Sequence, residues 1–180
     1  MQSFGNITFV PESCFQGCTS LTTFPFDNIT EIRESAFRDS GISGELYCKK
    51  LTTFSAGSAF RNAKSITKVL CLGKVNNIST YTFYRDNTTN SGNLTEVYLP
   101  YECTSIGDSA FKRCSGLTTL KQYEHSVDNW VEGQTPTYVN VNRITSFVKE
   151  CFNECSNLTA TIDLTNVTEI GESAFRNTKI

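Results

Sequence analysis

Eight cysteines, one histidine and one tryptophan are the residues of this 180-residue chain whose chemistry has to be placed first. Cys14/Cys18 and Cys151/Cys155 form two C-x3-C pairs, a spacing that suits a tetrahedral zinc site if the pairs meet. The same eight cysteines suit a disulfide framework, or small buried hydrophobes with weak S–H donors. His125 with a nearby carboxylate and a serine could be written as a hydrolase triad, but no Gly-x-Ser-x-Gly elbow, P-loop or dinucleotide fingerprint accompanies it. Asp108-Ser109 beside Phe111 sets an acid next to a hydroxyl, the raw material of a site.

What positions these residues is a repeat. Ile106-Gly107-Asp108-Ser109-Ala110-Phe111 recurs as Ile32 to Phe37 and Ile170 to Phe175, and more loosely as Val10 to Phe15, Ile78 to Phe83 and Phe147 to Phe152. Phe54 to Phe60 is a copy with one extra residue. The anchors Phe15, Phe37, Phe60, Phe83, Phe111, Phe152 and Phe175 are separated by 22, 23, 23, 28, 41 and 23 residues. Around them run columns: an apolar residue five before (Val10, Ile32, Ile78, Ile106, Phe147, Ile170), another eight before, a small residue or Cys three after (Cys18, Ser40, Ala63, Cys114, Cys155, Thr178), then a Leu or Ile. Asp108-Ser109 is therefore the turn that sets Phe111 in the core.

After that Leu comes an alternating segment, clearest in Leu94 to Pro100 and matched by Ile66 to Leu72 and Leu21 to Phe26. Alternation with Thr, Val and Ile enrichment predicts a short strand. Asp108 to Cys114 has helix-like spacing and predicts a short helical turn. One unit cannot bury its own apolar side, so neighbours must stack into a continuous core with a parallel sheet along one flank. The expected fold is an α/β solenoid, a right-handed array of about seven ~23-residue repeats with one short parallel strand each plus short helical turns, the period lying within the ~20–29 residues of leucine-rich repeats. It is read as a single domain over residues 1–180, with insertions at about 84–93 and 122–140.

Ile106, Ala110-Phe111, Cys114 and Leu117, together with Val10, Cys14-Phe15, Cys18, Leu21 and the strand end Val97-Tyr98-Leu99-Pro100, resemble the BspA-type leucine-rich repeat. Departures are that Pro closes one strand only and that two insertions break the period. The resemblance implies a non-enzymatic binding or adhesion domain of a surface-exposed or secreted protein, whose partner is a protein ligand such as a host or matrix protein. The alternative is a structural component whose ends stack on neighbouring subunits, since neither end shows the polar capping repeat usual in solenoids.

The repeat also arbitrates the cysteines. The two C-x3-C pairs lie five repeats apart, ~24 Å at a strand spacing of ~4.8 Å, too far to share a metal bound at ~2.3 Å. Five of the eight fall in the Ala or Cys columns, so free buried thiols are expected, with a bridge or two as the other outcome; no metal or cofactor is called for. Asn-x-Ser/Thr occurs at Asn6, Asn28, Asn77, Asn87, Asn93, Asn157 and Asn166. Most arise from the repeat, which sets a turn Asn before an apolar residue and a strand Thr after it.

A net charge of -2 gives no electrostatic footprint for nucleic acid, and the longest strongly apolar run, about Val69 to Leu72, is far short of the ~20 residues of a spanning helix. No basic region followed by an apolar one opens the chain. Binding surfaces remain. The excursion Gln122 to Asn140 holds His125, Trp130, Tyr123 and Tyr138. Within it Ser126 to Glu132 reads as a short capped helix ended by Gly133, and Trp130 either packs on the solenoid or meets a ligand. A long loop on a rigid scaffold is where binding usually sits. The other surface is the outward row of the sheet: Thr95, Glu96 and Tyr98, with Thr22, Thr23, Pro25, Thr67, Lys68, Leu70, Thr118, Thr119, Lys121, Thr159 and Asp163. The candidate ligand-binding residues are thus Trp130, Tyr98, Glu96, Lys68, Leu70, Lys121, Tyr123 and His125. The second insertion, Arg85 to Gly92, is Asn/Thr-rich and reads as an exposed loop.

Overall fold

The computed structural model describes residues 6–86 and 93–180. The Phe anchors form one column through the core. Phe15, Phe37, Phe60, Phe83, Phe111, Phe152 and Phe175 stack with successive centroids 5.4, 5.2, 5.6, 5.3, 5.2 and 5.7 Å apart and ring planes within 13° of parallel. The 41-residue gap between Phe111 and Phe152 leaves their stacking undisturbed, so the excursion loops out of the array rather than stretching it.

Two parallel ladders run along this column. The alternating segments give a sheet in the order β10-β9-β7-β5-β3, with β3 (Ser43–Tyr47), β5 (Ser65–Cys71), β7 (Glu96–Leu99) and β9 (Thr119–Tyr123) parallel. The short β10 (Tyr138–Val139) closes it antiparallel. The apolar column before each Phe, expected only to fill the core, is a second ladder of two-residue strands. They are β1 (Phe9–Val10), β2 (Glu31–Ile32), β4 (Thr53–Phe54), β6 (Asn77–Ile78), β8 (Ser105–Ile106), β11 (Ser146–Phe147) and β12 (Glu169–Ile170). It breaks between β4 and β6, where the third copy carries its extra residue, and the Ser79 hydroxyl bridges the break by donating to the Phe54 carbonyl at 3.2 Å.

Leu21 to Phe26 is not a strand. Phe24 and Phe26 alternate into the core as expected, but Pro25 has no N–H to give to a ladder. The contact with the next coil is reduced to the Ser43 N–H and hydroxyl on the Thr22 carbonyl. The last coil keeps a single bridge, Val141 to Ile162.

The helical turns are minor. Around each Phe the backbone is left-handed two residues before (Ser13, Ser35, Ser58, Tyr81, Ser109, Glu150, Ser173). It is left-handed again two after (Gly17, Asp39, Asn62, Arg113, Glu154, Asn177), Arg85 being the exception. Alternate N–H groups then close three-residue turns within the coil, as Cys114 N–H to Phe111 O at 3.0 Å does. The others reach the next coil: Ser109, Phe111 and Arg113 donate to the carbonyls of Lys149, Cys151 and Asn153 at 3.0, 2.8 and 2.8 Å. An α-helix directs its N–H groups to the carbonyl four residues back and leaves none for a neighbour. The turn stack does both, and every neighbouring pair of coils repeats it. Gly17, Asp39, Asn62 and Asn177, residue types that favour the left-handed region, are the sequence signal of this arrangement.

All eight cysteines are free thiols. Cys48, Cys71, Cys103, Cys114, Cys151 and Cys155 are buried as expected, but Cys14 and Cys18 are exposed, because no described coil covers the first repeat on its outer side. Cys114 and Cys155 donate their S–H to the carbonyl of the preceding anchor, Phe83 at 3.2 Å and Phe111 at 3.1 Å. Burial pushes the Cys103 and Cys151 thiols up to about 12 and the Cys114 thiol up to about 11. A thiol reagent at neutral pH is therefore expected to modify two cysteines in the native protein and all eight after denaturation, since the thiolate is the reactive form. Mass spectrometry of the labelled chain reads this directly; labelling of a buried cysteine at the native rate would contradict the core placement.

Arg85, expected in an exposed loop, is fully buried. Residues 87–92 of that loop, with the sequon Asn87, lie outside the described residues. The other six sequon asparagines are exposed, and several stitch coils together: Asn28 accepts from Lys50, Asn77 from Ser105, and Asn157 donates to Ser115 O.

Candidate functional site

The outward face of the sheet carries two rows of side chains. Pairing register sets Glu45, Lys68, Glu96 and Thr119 side by side on β3, β5, β7 and β9. Two residues further along stand Leu70, Tyr98 and Lys121, and beside them on β3 stands Tyr47, opposite Cys71 because β5 carries an extra residue at Thr67 and again at Leu70 in its pairing with β3. In the first row the Lys68 ammonium lies 3.1 Å from Glu96 and 3.9 Å from Glu45, and the Glu96 hydrogen bond raises the Lys68 pKa. Tyr98 donates its hydroxyl to Glu96 at 3.0 Å. Burial first, and then that carboxylate, push the Tyr98 hydroxyl well above its ordinary range.

The 122–140 excursion supplies a wall over this face. Gln122, wholly buried, fixes both of its ends. Its amide donates to Pro100 O and Cys103 O at 3.0 and 2.8 Å, and its side-chain carbonyl accepts from the Asn142 and Arg143 N–H groups at 3.4 and 3.1 Å. The expected capped helix is a single 3-10 turn, Val127–Asn129. Ser126 makes no side-chain cap, and Trp130 is already extended, drawn toward Tyr123, whose ring lies 4.7 Å away. An ion pair between Lys74 and Asp128 pins the turn to the coil beneath. Tyr123 donates its hydroxyl to Leu70 O at 2.5 Å. β10 returns Tyr138 onto Tyr98, with centroids 4.9 Å apart.

Between face and wall lies a groove of about 750 Å³. Lys68, Leu70, Glu96, Tyr98, Tyr123 and Trp130, six of the expected binding residues, line it together. Trp130 packs on Tyr123, as the packing reading has it, and lines the groove as well. Leu70 and Tyr98, expected to be exposed, are half-buried beneath the wall.

Lys121 and His125 lie elsewhere. Lys121 donates to Asn140 at 2.6 Å on the far side of Tyr138. His125 is exposed in a second cleft of about 260 Å³ beside Glu124, and its backbone carbonyl, rather than its ring, holds the Trp130 N–H at 3.4 Å.

Sequence reasoning missed Tyr47, Tyr138 and the 131–136 segment as groove lining. Tyr47 follows from the alternation of β3 about the buried Leu46, and Tyr138 was visible as an aromatic in the excursion. Tyr47 and Tyr138 are about half exposed, at 44% and 49%.

The groove combines apolar ring faces with a paired acid–base floor, which is recognition chemistry. Among the described residues no group of three or more His, Cys, Asp or Glu is placed to hold a metal ion. Among them, too, no helix is long and apolar enough to cross a membrane.

A family model described as the BspA type leucine-rich repeat region matches six copies, over residues 2–118 and 86–180. The chain is similar to a leucine-rich repeat protein of known structure from Bacteroides ovatus, at 16% identity and a TM-score of 0.31, covering 95% of this chain and 56% of that one. A second, from Eubacterium ventriosum, shows 14% identity and a TM-score of 0.26, covering 96% and 81%. The chain thus spans little more than half the length of the first. No curated protein matches. With the family model spanning almost its whole length, the chain belongs to the BspA-type leucine-rich repeat family.

Proposed function

We propose that this chain is a non-enzymatic protein-binding domain and that the groove between the sheet face and the 122–140 wall receives the partner. The observation that carries the reading is that the longest break in the repeat folds back over the sheet, with Tyr123 and Tyr138 against Tyr98 and Trp130 against Tyr123. Aromatic residues dominate binding hot spots, and solenoids bind through extended faces of this kind. BspA-type arrays resembling this one belong to surface-exposed or secreted proteins that engage host or matrix proteins, which supports adhesion at a cell surface as the setting.

The test is capture of wild type, Trp130→Ala and Tyr98→Ala by a panel of purified extracellular matrix proteins, with circular dichroism confirming that each variant is folded. Each substitution is expected to weaken capture at least ~30-fold, the factor for a hot-spot loss of about 2 kcal/mol. Equal capture of all three rejects the groove as the binding surface.

A further inference from the structure

Resting on that reading, we propose that the groove accepts a proline-rich segment in the polyproline II conformation, flanked by a basic residue.

The first argument is what the rings have left to offer. Tyr98 spends its hydroxyl on Glu96, Tyr123 on Leu70 O, and Trp130 its indole N–H on His125 O. The central rings therefore present faces and edges, not hydrogen-bonding heads. A ligand that recognises itself through hydroxyls, such as a glycan, finds the polar groups of these three rings already engaged. A proline ring, apolar and without an N–H, needs none, and proline-rich segments dock in aromatic-lined grooves because they arrive already ordered.

The second argument is spacing. Tyr47 and Tyr98 both line the groove, from β3 and β7 with β5 between them, Tyr47 standing opposite Cys71, one residue beyond Leu70. Two strand spacings are ~9.6 Å, and one three-residue turn of polyproline II is ~9.3 Å. A peptide running across the strands would thus set every third residue on a tyrosine, passing over Leu70 between.

The third is charge. The groove holds Glu45, Glu96 and Glu132 against Lys49 and Lys68, three acids less two bases, a net charge of -1. Lys68 is engaged by both Glu45 and Glu96, and Lys49 lies 5.9 Å over the Trp130 ring. The exposed Glu132 at the rim is left to meet a cation, and such complementarity sets orientation and specificity.

Trp130 is the only tryptophan, so its fluorescence reports on the groove directly. The probes are an oligoproline nonamer ending in arginine, the same nonamer ending in glutamate, a Gly/Ser nonamer ending in arginine, and a β-1,4-linked glucose hexamer. A saturable change is expected with the first, at least tenfold weaker binding with the second, and none with the last two. Tyr98→Phe, which keeps the ring and loses only a hydroxyl already spent, should bind within about threefold of wild type, whereas Tyr98→Ala should not bind.

Silence with oligoproline, an equal response to the Gly/Ser peptide, or a response to the glucose hexamer alone overturns the proposal. If matrix-protein capture still depends on Tyr98 while oligoproline is silent, the groove stands and only the ligand class falls. If neither measurement depends on Tyr98, both readings fall together.

Discussion

Phe111→Ala is expected to lower the unfolding free energy by about 3–5 kcal/mol, read from the denaturant midpoint and slope together. Phe111 is fully buried, between Phe83 at 5.3 Å and Phe152 at 5.2 Å with planes 11° and 1° from parallel. Its removal costs the transfer of a large apolar side chain, the cavity left behind, and two offset-stacked pairs worth about 0.5–1.5 kcal/mol each beyond area. Neither neighbour can collapse into the space, because the flanking N–H groups of Ser109, Phe111 and Arg113 hold the coil spacing through their bonds to the next coil. Stability in such an array is a sum of coils and their interfaces, so a middle ring acts on two interfaces. Phe175, half-buried and stacked on Phe152 alone within the column, should cost less than half as much on the same substitution. A loss below about 1 kcal/mol at Phe111 would show that the ring column is not where the array draws its stability.

This column was legible because a Phe recurring after 22 or 23 residues in four of its six steps leaves a period that two insertions do not hide. What was not legible follows from the same logic. Ala110 and Cys114 sit four apart, which suggests a helix, yet a coil whose N–H groups must also bind its neighbour has to alternate left-handed residues. Nine of those thirteen positions are filled by Ser, Glu, Tyr or Arg, residues that do not advertise a positive φ. The two-residue ladder before each Phe was likewise read as core filling, because two residues are too few to show alternation. Pro25 stood in plain sight as a ladder breaker and explains why the first alternating segment buries its Phe residues without pairing as a strand.

The groove was half legible. Lys68, Leu70, Glu96 and Tyr98 follow from strand alternation alone, and Tyr123 and Trp130 from the break in the period. That these two sets face each other depends on Gln122, whose side chain closes the excursion onto Pro100, Cys103 and Arg143. No pattern marks a glutamine for that task. His125 drew attention as the sole histidine, but its ring points to no chemistry in the groove, and what it contributes there is a backbone carbonyl.

Arg85→Ala is expected to destabilise the protein by about 2–5 kcal/mol, while Arg85→Met should leave stability unchanged or raise it. In the fourth copy the small residue three after the anchor would be Asp86. Asp86 instead turns outward to Arg61 and Asn62, its carbonyl accepting from Arg113 at 3.0 Å. The vacated place is taken by the Arg85 guanidinium. It donates to Phe60 O at 3.4 Å and Ala63 O at 3.0 Å, as Cys114 and Cys155 donate to the carbonyls of Phe83 and Phe111. It is thus a large substitute for a thiol, filling the step left by the insertion. Its volume matters, and truncation to Ala opens a cavity between the Ala63 and Cys114 levels. Its charge is a burden: burial lowers its pKa, its Nε has no partner among the described residues, and desolvating a cation is costly unless it is paired. Nor do its bonds rescue orphans, since Phe60 O already accepts from Ala63 N–H at 3.0 Å and Ala63 O from Ile66 N–H at 3.4 Å. An apolar side chain of similar length keeps the packing and removes the charge, the exchange that is neutral or stabilising at other buried ionic sites. Equilibrium denaturation of the two variants separates the terms: if Met destabilises as much as Ala, the guanidinium's hydrogen bonds, not its bulk, hold the junction between the third and fifth coils.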